Sequence, residues 1–166
     1  MKHGYKVDIV LDIVSGGRDT VYDYAADITR YYLSRDVIIV KIYFAHSIKQ
    51  YNTFFEKKCL KLIRERFPHG EIINPATLYL GYMEEFLSVV EQCDIIVFTR
   101  WHGYITSGVA KEVEHALRLN KKVYEIRKGE MIEIKRMPSE KVLDYEDTIL
   151  AYRDPMFLEL LDFLEE

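Results

Sequence analysis

The chain has 166 residues, 49% hydrophobic and 30% charged, with a net charge of −4. That length suits one domain around one core, and the composition excludes a disordered chain. The acidic balance gives duplex nucleic acid no electrostatic footing, and no apolar run approaches the roughly 20 residues of a membrane span.

No leader is visible, because Lys6 and Asp8 interrupt the N-terminal stretch, so a cytoplasmic protein without membrane contact is expected. Cys59 and Cys93 lack metal spacing and read as buried free thiols. No His, Cys or carboxylate cluster has the spacing of a metal site, and no Walker loop is present. Gly16-Gly17 is too short for a dinucleotide fingerprint. Neither a metal nor a cofactor is expected.

In chain order, residues 6–14 predict a strand and residues 20–33 a helix, with Val21, Tyr24, Ala25, Ile28 and Tyr31 at helical spacing. Residues 1–34 read as a strand–helix unit added to the core sheet. Residues 37–45 form a second apolar strand. Residues 52–67 return to helical spacing through Phe55, Cys59, Leu62 and Ile63, and Pro68-His69-Gly70 ends that helix. A short strand at 71–73 stops at Asn74-Pro75. A helix follows at 83–90, a strand at 94–98, a helix at 107–119 and a strand at 122–126. Strands alternating with helices imply an α/β domain of flavodoxin- or Rossmann-like type, with a mostly parallel sheet and helices on both faces. The tail offers a strand at 131–135 and an ambiguous stretch at 138–153. A helix at 154–165 starts at Asp154-Pro155, with Phe157, Leu160, Leu161 and Leu164 as an apolar stripe.

Helix 107–119 separates its two glutamates by period alone. Val109, Val113, Ala116 and Leu117 cluster on one side, and Glu112 falls in that buried sector. Glu114, Lys111 and Arg118 face away from it. A buried carboxylate costs several kcal/mol unless it is hydrogen-bonded. Glu112 is therefore either a structural group bonded to nearby amides or a working one. Thr106, Ser107 and Gly108 place hydroxyls and amides at the helix start, as a plain cap or as a seat for a phosphate or a sugar hydroxyl.

Open parallel sheets bind ligands beyond the carboxyl ends of their strands. The loops there would bring Tyr43, His46, Ser47, Asn74, Trp101, His102, Tyr104 and Glu112 to one crevice. Trp101 and Tyr104 suit stacking on a nucleobase, or else anchor their loop to the domain surface.

Tyr43, Asn74-Pro75, the strand led by Asp94 and the run Gly108-x3-Glu112-Val113-x2-Ala116-Leu117 together resemble the nucleoside 2-deoxyribosyltransferase family. Its relatives include 2′-deoxynucleoside 5′-phosphate N-hydrolases. The likeness spans residues 37–126. It implies a flavodoxin-like fold, a homodimer or other homo-oligomer, and a nucleoside or nucleotide as the small-molecule partner. It makes Glu112 the nucleophile at the anomeric carbon and Tyr43 the group that positions it. Thr106 or Ser107 would contact the sugar's 5′ side, or a 5′-phosphate in the hydrolase branch. Apart from the resemblance, His46, Ser47, Asn74, Asp94, Trp101, Tyr104 and Gly108 are expected as further binding residues. The family places an acid on the preceding helix to protonate the leaving base. Phe86 holds the aligned position, so after a one- or two-residue shift Glu85 or Glu84 would supply that acid, or neither would. Two further departures are Glu114, where the family often has glycine, and AHSIKQYN in place of a glycine-bearing loop. The alternative is a nucleotide-binding or sensor domain of the same fold without turnover. A third reading makes the stripe at 157–164 a docking surface for a partner.

Overall fold

A computed structural model describes residues 39–165. The strand and helix expected at 6–33 lie outside them. Five strands form one sheet: β1 (Lys41–Ala45), β2 (Glu71–Ile73), β3 (Ile95–Thr99), β4 (Lys122–Arg127) and β5 (Glu130–Ile134), in spatial order β2-β1-β3-β4-β5. The pairs β1–β2, β1–β3 and β3–β4 are parallel, and β5 returns antiparallel to β4. Its register pairs Arg127 with Glu130 across a two-residue turn, where Lys128 and Gly129 both take positive φ. The helices are α1 (Phe54–Arg66), α2 (Met83–Glu91), α3 (Ser107–Arg118), α4 (Tyr145–Arg153) and α5 (Met156–Glu165).

Strand alternation builds two cores. Ile42 and Phe44 of β1, Ile95 and Val97 of β3, and Tyr124 and Ile126 of β4 pack against Cys59 and Ile63 of α1. Tyr43, Ala45, Ile96, Phe98 and Val123 point the other way, against Val90 of α2 and Val109, Val113 and Ala116 of α3. The result is a three-layer α/β domain of Rossmann- or flavodoxin-like type. From β1 the chain crosses to β2 on one side and then to β3 on the other, so β1 and β3 flank the switch point where such sheets open a crevice. No helix among the described residues is long and apolar enough to cross a membrane.

The tail forms a third cluster. Trp101, Tyr104, Leu143, Ala151 and Leu158 are buried together, with Phe157 and Leu161 packed at their edge. The apolar stripe expected on the last helix therefore splits. Leu158 is its buried contact, whereas Leu160 and Leu164 are exposed. Cys59 and Cys93 are free and buried, and burial raises each thiol to about 11.

Candidate functional site

Two side chains from different layers meet at the switch point. Tyr43 lies in β1 with its ring on the α3 face of the sheet. Glu112 sits one and a half turns into α3 and is only 6% exposed. The Tyr43 hydroxyl donates to Glu112 Oε1 at 2.6 Å. Glu112 is thus buried as its place on the helix wheel predicts, with a partner 69 residues away in sequence. Burial raises the Glu112 carboxyl to about 7, against the donation from Tyr43, which lowers it. Burial and the neighbouring carboxylate push the Tyr43 phenol far above its ordinary value, so it remains a donor at every physiological pH. No described residue bonds Glu112 Oε2, and no deeply buried side-chain oxygen or nitrogen among the described residues lacks a partner. That oxygen therefore opens to accessible space. Cavities of about 710, 400, 410 and 370 Å³ lie elsewhere, with other residues in their walls.

The loop after β1 is held by a second buried network. His46 stacks on Phe44 with ring centroids 4.2 Å apart and donates from Nδ1 to the Phe44 carbonyl at 2.8 Å. Its Nε2 lies 3.0 Å from Glu56 Oε1. With Nδ1–H committed to a carbonyl, a proton must sit between Nε2 and the carboxylate. Glu56 also accepts from Asn74 Nδ2 at 3.0 Å and from the Asn52 amide at 2.7 Å. Burial alone would raise Glu56, but these donors hold it below its ordinary value. Burial lowers His46, against the Phe44 carbonyl and Glu56. Ser47 caps a short 3-10 turn, and its hydroxyl shares a 2.9 Å hydrogen bond with the Tyr152 hydroxyl from α4. Tyr51 packs on His46, with centroids 4.8 Å apart. Burial, then the charges of Glu112, Tyr152 and Glu56, keep its phenol protonated.

Tyr43, His46, Ser47, Asn74 and Glu112 therefore gather at the carboxyl ends of β1 and β2 and the start of α3, as expected. Asn74 is spent on structure: its amide nitrogen reaches Glu56, and its oxygen caps the Ala76 amide at 3.0 Å. Thr106 is the N-cap residue of α3, but its side chain makes no capping bond. Instead Thr148 Oγ1 of α4 accepts from the Ser107 amide at 3.0 Å, so the tail helix covers one of the amides offered at that helix start. Gly108 lies against α2, where an added Cβ would come within 3.4 Å of Met83 Cε.

Four expected residues go elsewhere. Asp94 precedes β3, so it stands at the amino end of the parallel strands, opposite the crevice, and accepts from the Lys41 amide at 2.8 Å. Trp101 and Tyr104 close a tight hairpin over His102 and Gly103, both at positive φ, through paired backbone bonds of 2.8 and 2.9 Å. The hairpin turns both rings into the tail cluster, and Tyr104 donates to Asp162 Oδ1 at 2.6 Å. They anchor the loop rather than stack on a base. Glu85 is exposed and caps α2 by accepting from the amides of Gly81 and Tyr82 at 2.7 and 3.0 Å. Those bonds hold its carboxyl below its ordinary value, the reverse of what a proton donor needs.

Glu56, Tyr51 and Tyr152 enter the site without having been expected. Glu56 alone carried a local signal, the Thr53-x-x-Glu56 spacing of a helix start, where Thr53 Oγ1 accepts from the Glu56 amide at 3.2 Å.

Together these features define a three-layer α/β domain with a buried tyrosine–carboxylate pair at its switch point. No protein-family model matches the chain, and no curated protein is detectably similar to it in sequence.

Proposed function

We propose that this protein cleaves or transfers the N-glycosidic bond of a deoxynucleoside, a nucleoside or a nucleoside monophosphate. The observation that carries the reading is the 2.6 Å hydrogen bond from Tyr43 to a Glu112 carboxyl that is buried yet keeps one oxygen without a described partner. In its ionised form Glu112 would attack the anomeric carbon with Oε2. The carbon–nitrogen bond breaks, the base leaves with the bonding pair and takes up a proton, and a glycosyl ester remains. Water or a second base then displaces the carboxylate. An oxocarbenium-like transition state is stabilised by such a carboxylate before capture. Tyr43 holds the attacking group in one orientation and favours its anion.

The same reading includes a homodimer in the cytoplasm. Tyr79 and Tyr82, large and fully or mostly exposed beside the start of α2, offer the surface through which a second copy would approach the crevice. A nucleotide-binding or sensor domain without turnover is the second reading, and the commitment of Glu85 to capping favours it, since only the exposed Glu84 is then left as an acid for the leaving base.

Incubation with a panel of deoxynucleosides, nucleosides and their monophosphates, followed by chromatography for free base, tests the proposal. Release is expected from wild type and from Glu114→Ala, and none from Glu112→Ala. Equal release by Glu112→Ala rules out the nucleophile. Saturable binding without release supports the second reading.

A further inference from the structure

The largest cavity named above lies on the α3 face of the sheet edge, away from Glu112, with a volume of about 710 Å³. Its wall combines Arg100, Arg127, Lys135 and Arg136 with the apolar side chains of Ile134 and Met137. Two of the guanidinium groups are fixed from behind. Glu125 of β4, 2% exposed, accepts from Arg100 Nε at 2.7 Å, and from Arg127 Nε at 3.2 Å and Nη2 at 2.7 Å. Arg100 Nη1 also donates to the carbonyls of Gly103 and Glu140 at 3.2 and 3.1 Å. Among the described residues nothing accepts from Arg100 Nη2 or Arg127 Nη1. A guanidinium whose plane is locked by a carboxylate on one edge presents its other edge to an anion with little loss of freedom.

Charges of both signs surround the cavity. Glu140 stands in the wall, and Glu133 pairs with Lys135. With Glu125, these leave one net positive charge from four cations, in a chain whose net charge is −4. The volume falls within the few hundred to about 1,000 Å³ of small-molecule sites. A wall that combines cationic donors with the apolar Ile134 and Met137 suits a ligand with an anionic head and an apolar body.

We propose that this cavity binds a small phosphomonoester, with its phosphate on Arg127, Lys135 and Arg136 and its organic part against Ile134 and Met137. The proposal is independent of the reading of Glu112, because the two groups share no residue.

Titration calorimetry at low salt tests it with phenyl phosphate, benzoate, benzyl alcohol and inorganic phosphate as probes. Phenyl phosphate is expected to saturate one site per chain, with benzoate and inorganic phosphate weaker and benzyl alcohol silent. The double variant Lys135→Gln/Arg136→Gln leaves the Glu125 pairs in place and folds as wild type. Losing the two charge-assisted contacts there weakens binding about a hundredfold or more. Glu112→Gln binds as wild type. The proposal fails if no probe saturates, if benzoate equals phenyl phosphate, if the double variant is unchanged, or if Glu112→Gln abolishes binding.

Discussion

Glu112 is an unusual helix residue because its charge state is set by two opposing forces. Burial costs it most of its hydration, which favours the neutral acid, and the Tyr43 hydroxyl favours the anion. Its folded pKa of about 7 stands above the ordinary value of 4.5. Between those values the folded protein keeps a proton that the unfolded chain has released. That contribution to stability is complete below about 4.5 and is gone above about 7. Chemical denaturation of Glu112→Gln across this range is expected to lose that slope, whereas wild type weakens as the pH rises. Tyr43→Phe removes the donor, so the Glu112 carboxyl moves above about 7. If turnover is found, the alkaline rise of its pH–rate profile moves up with it. At neutral pH the rate falls roughly tenfold or more, the worth of a hydrogen bond to a charged group. An unshifted profile in Tyr43→Phe would separate the tyrosine from the carboxylate's chemistry.

Local elements determine which side chains reach the crevice. The loop after β3 closes as a two-residue hairpin because His102 and Gly103 accept positive φ, and this turns Trp101 and Tyr104 into the tail cluster. The first helical turn of α1 does the opposite. Its Thr53 cap and Glu56 draw the loops after β1 and β2 together through His46, Asn52 and Asn74. The entry to β2 is tight as well. A Cβ on Gly70 would lie 2.4 Å from Ile42 Cδ1 and 3.3 Å from Phe67 Cβ, and Ile42 is fully buried. Gly70→Ala should therefore cost about 1–3 kcal/mol in denaturant unfolding, the usual penalty for overpacking a core. A wild-type midpoint would mean that Ile42 repacks freely.

The domain as a whole is a four-stranded parallel sheet extended by an antiparallel edge, with a helical tail folded back over the start of α3. Besides the Tyr152 and Asp162 bonds to Ser47 and Tyr104, contacts beside the start of α3 tie that tail down. The Leu143 amide donates to Ile105 O at 2.9 Å, and Thr148 accepts from the Ser107 amide. Trp101, the single tryptophan, reports on it, because it is 8% exposed and its ring meets that of Tyr152 edge-on at 5.3 Å. Truncation after Arg153 removes Leu158 and the partly buried Phe157 and Leu161 from that cluster. Tryptophan emission should shift to the red and the melting temperature should fall. Unchanged emission would show that α5 contributes nothing to the burial of Trp101.

The pattern of alternating strands and helices, the boundaries of most elements from 41 to 127 and the inward aim of Glu112 are all readable along the chain. Each rests on a period of two or 3.6 residues, a property of neighbours in sequence. What could not be read there depends on groups far apart meeting in space. Glu56 and Tyr152 come to the crevice through partners, such as Asn74 and Ser47, that lie 18 and 105 residues away. Glu85 and Asp94 have the right chemistry for their expected roles. One was taken by the nearest free amides of its own helix, and the other by the start of a neighbouring strand. A carboxylate's residue type is written in the chain, but its protonation and its work are set by the donors and the water that packing leaves beside it.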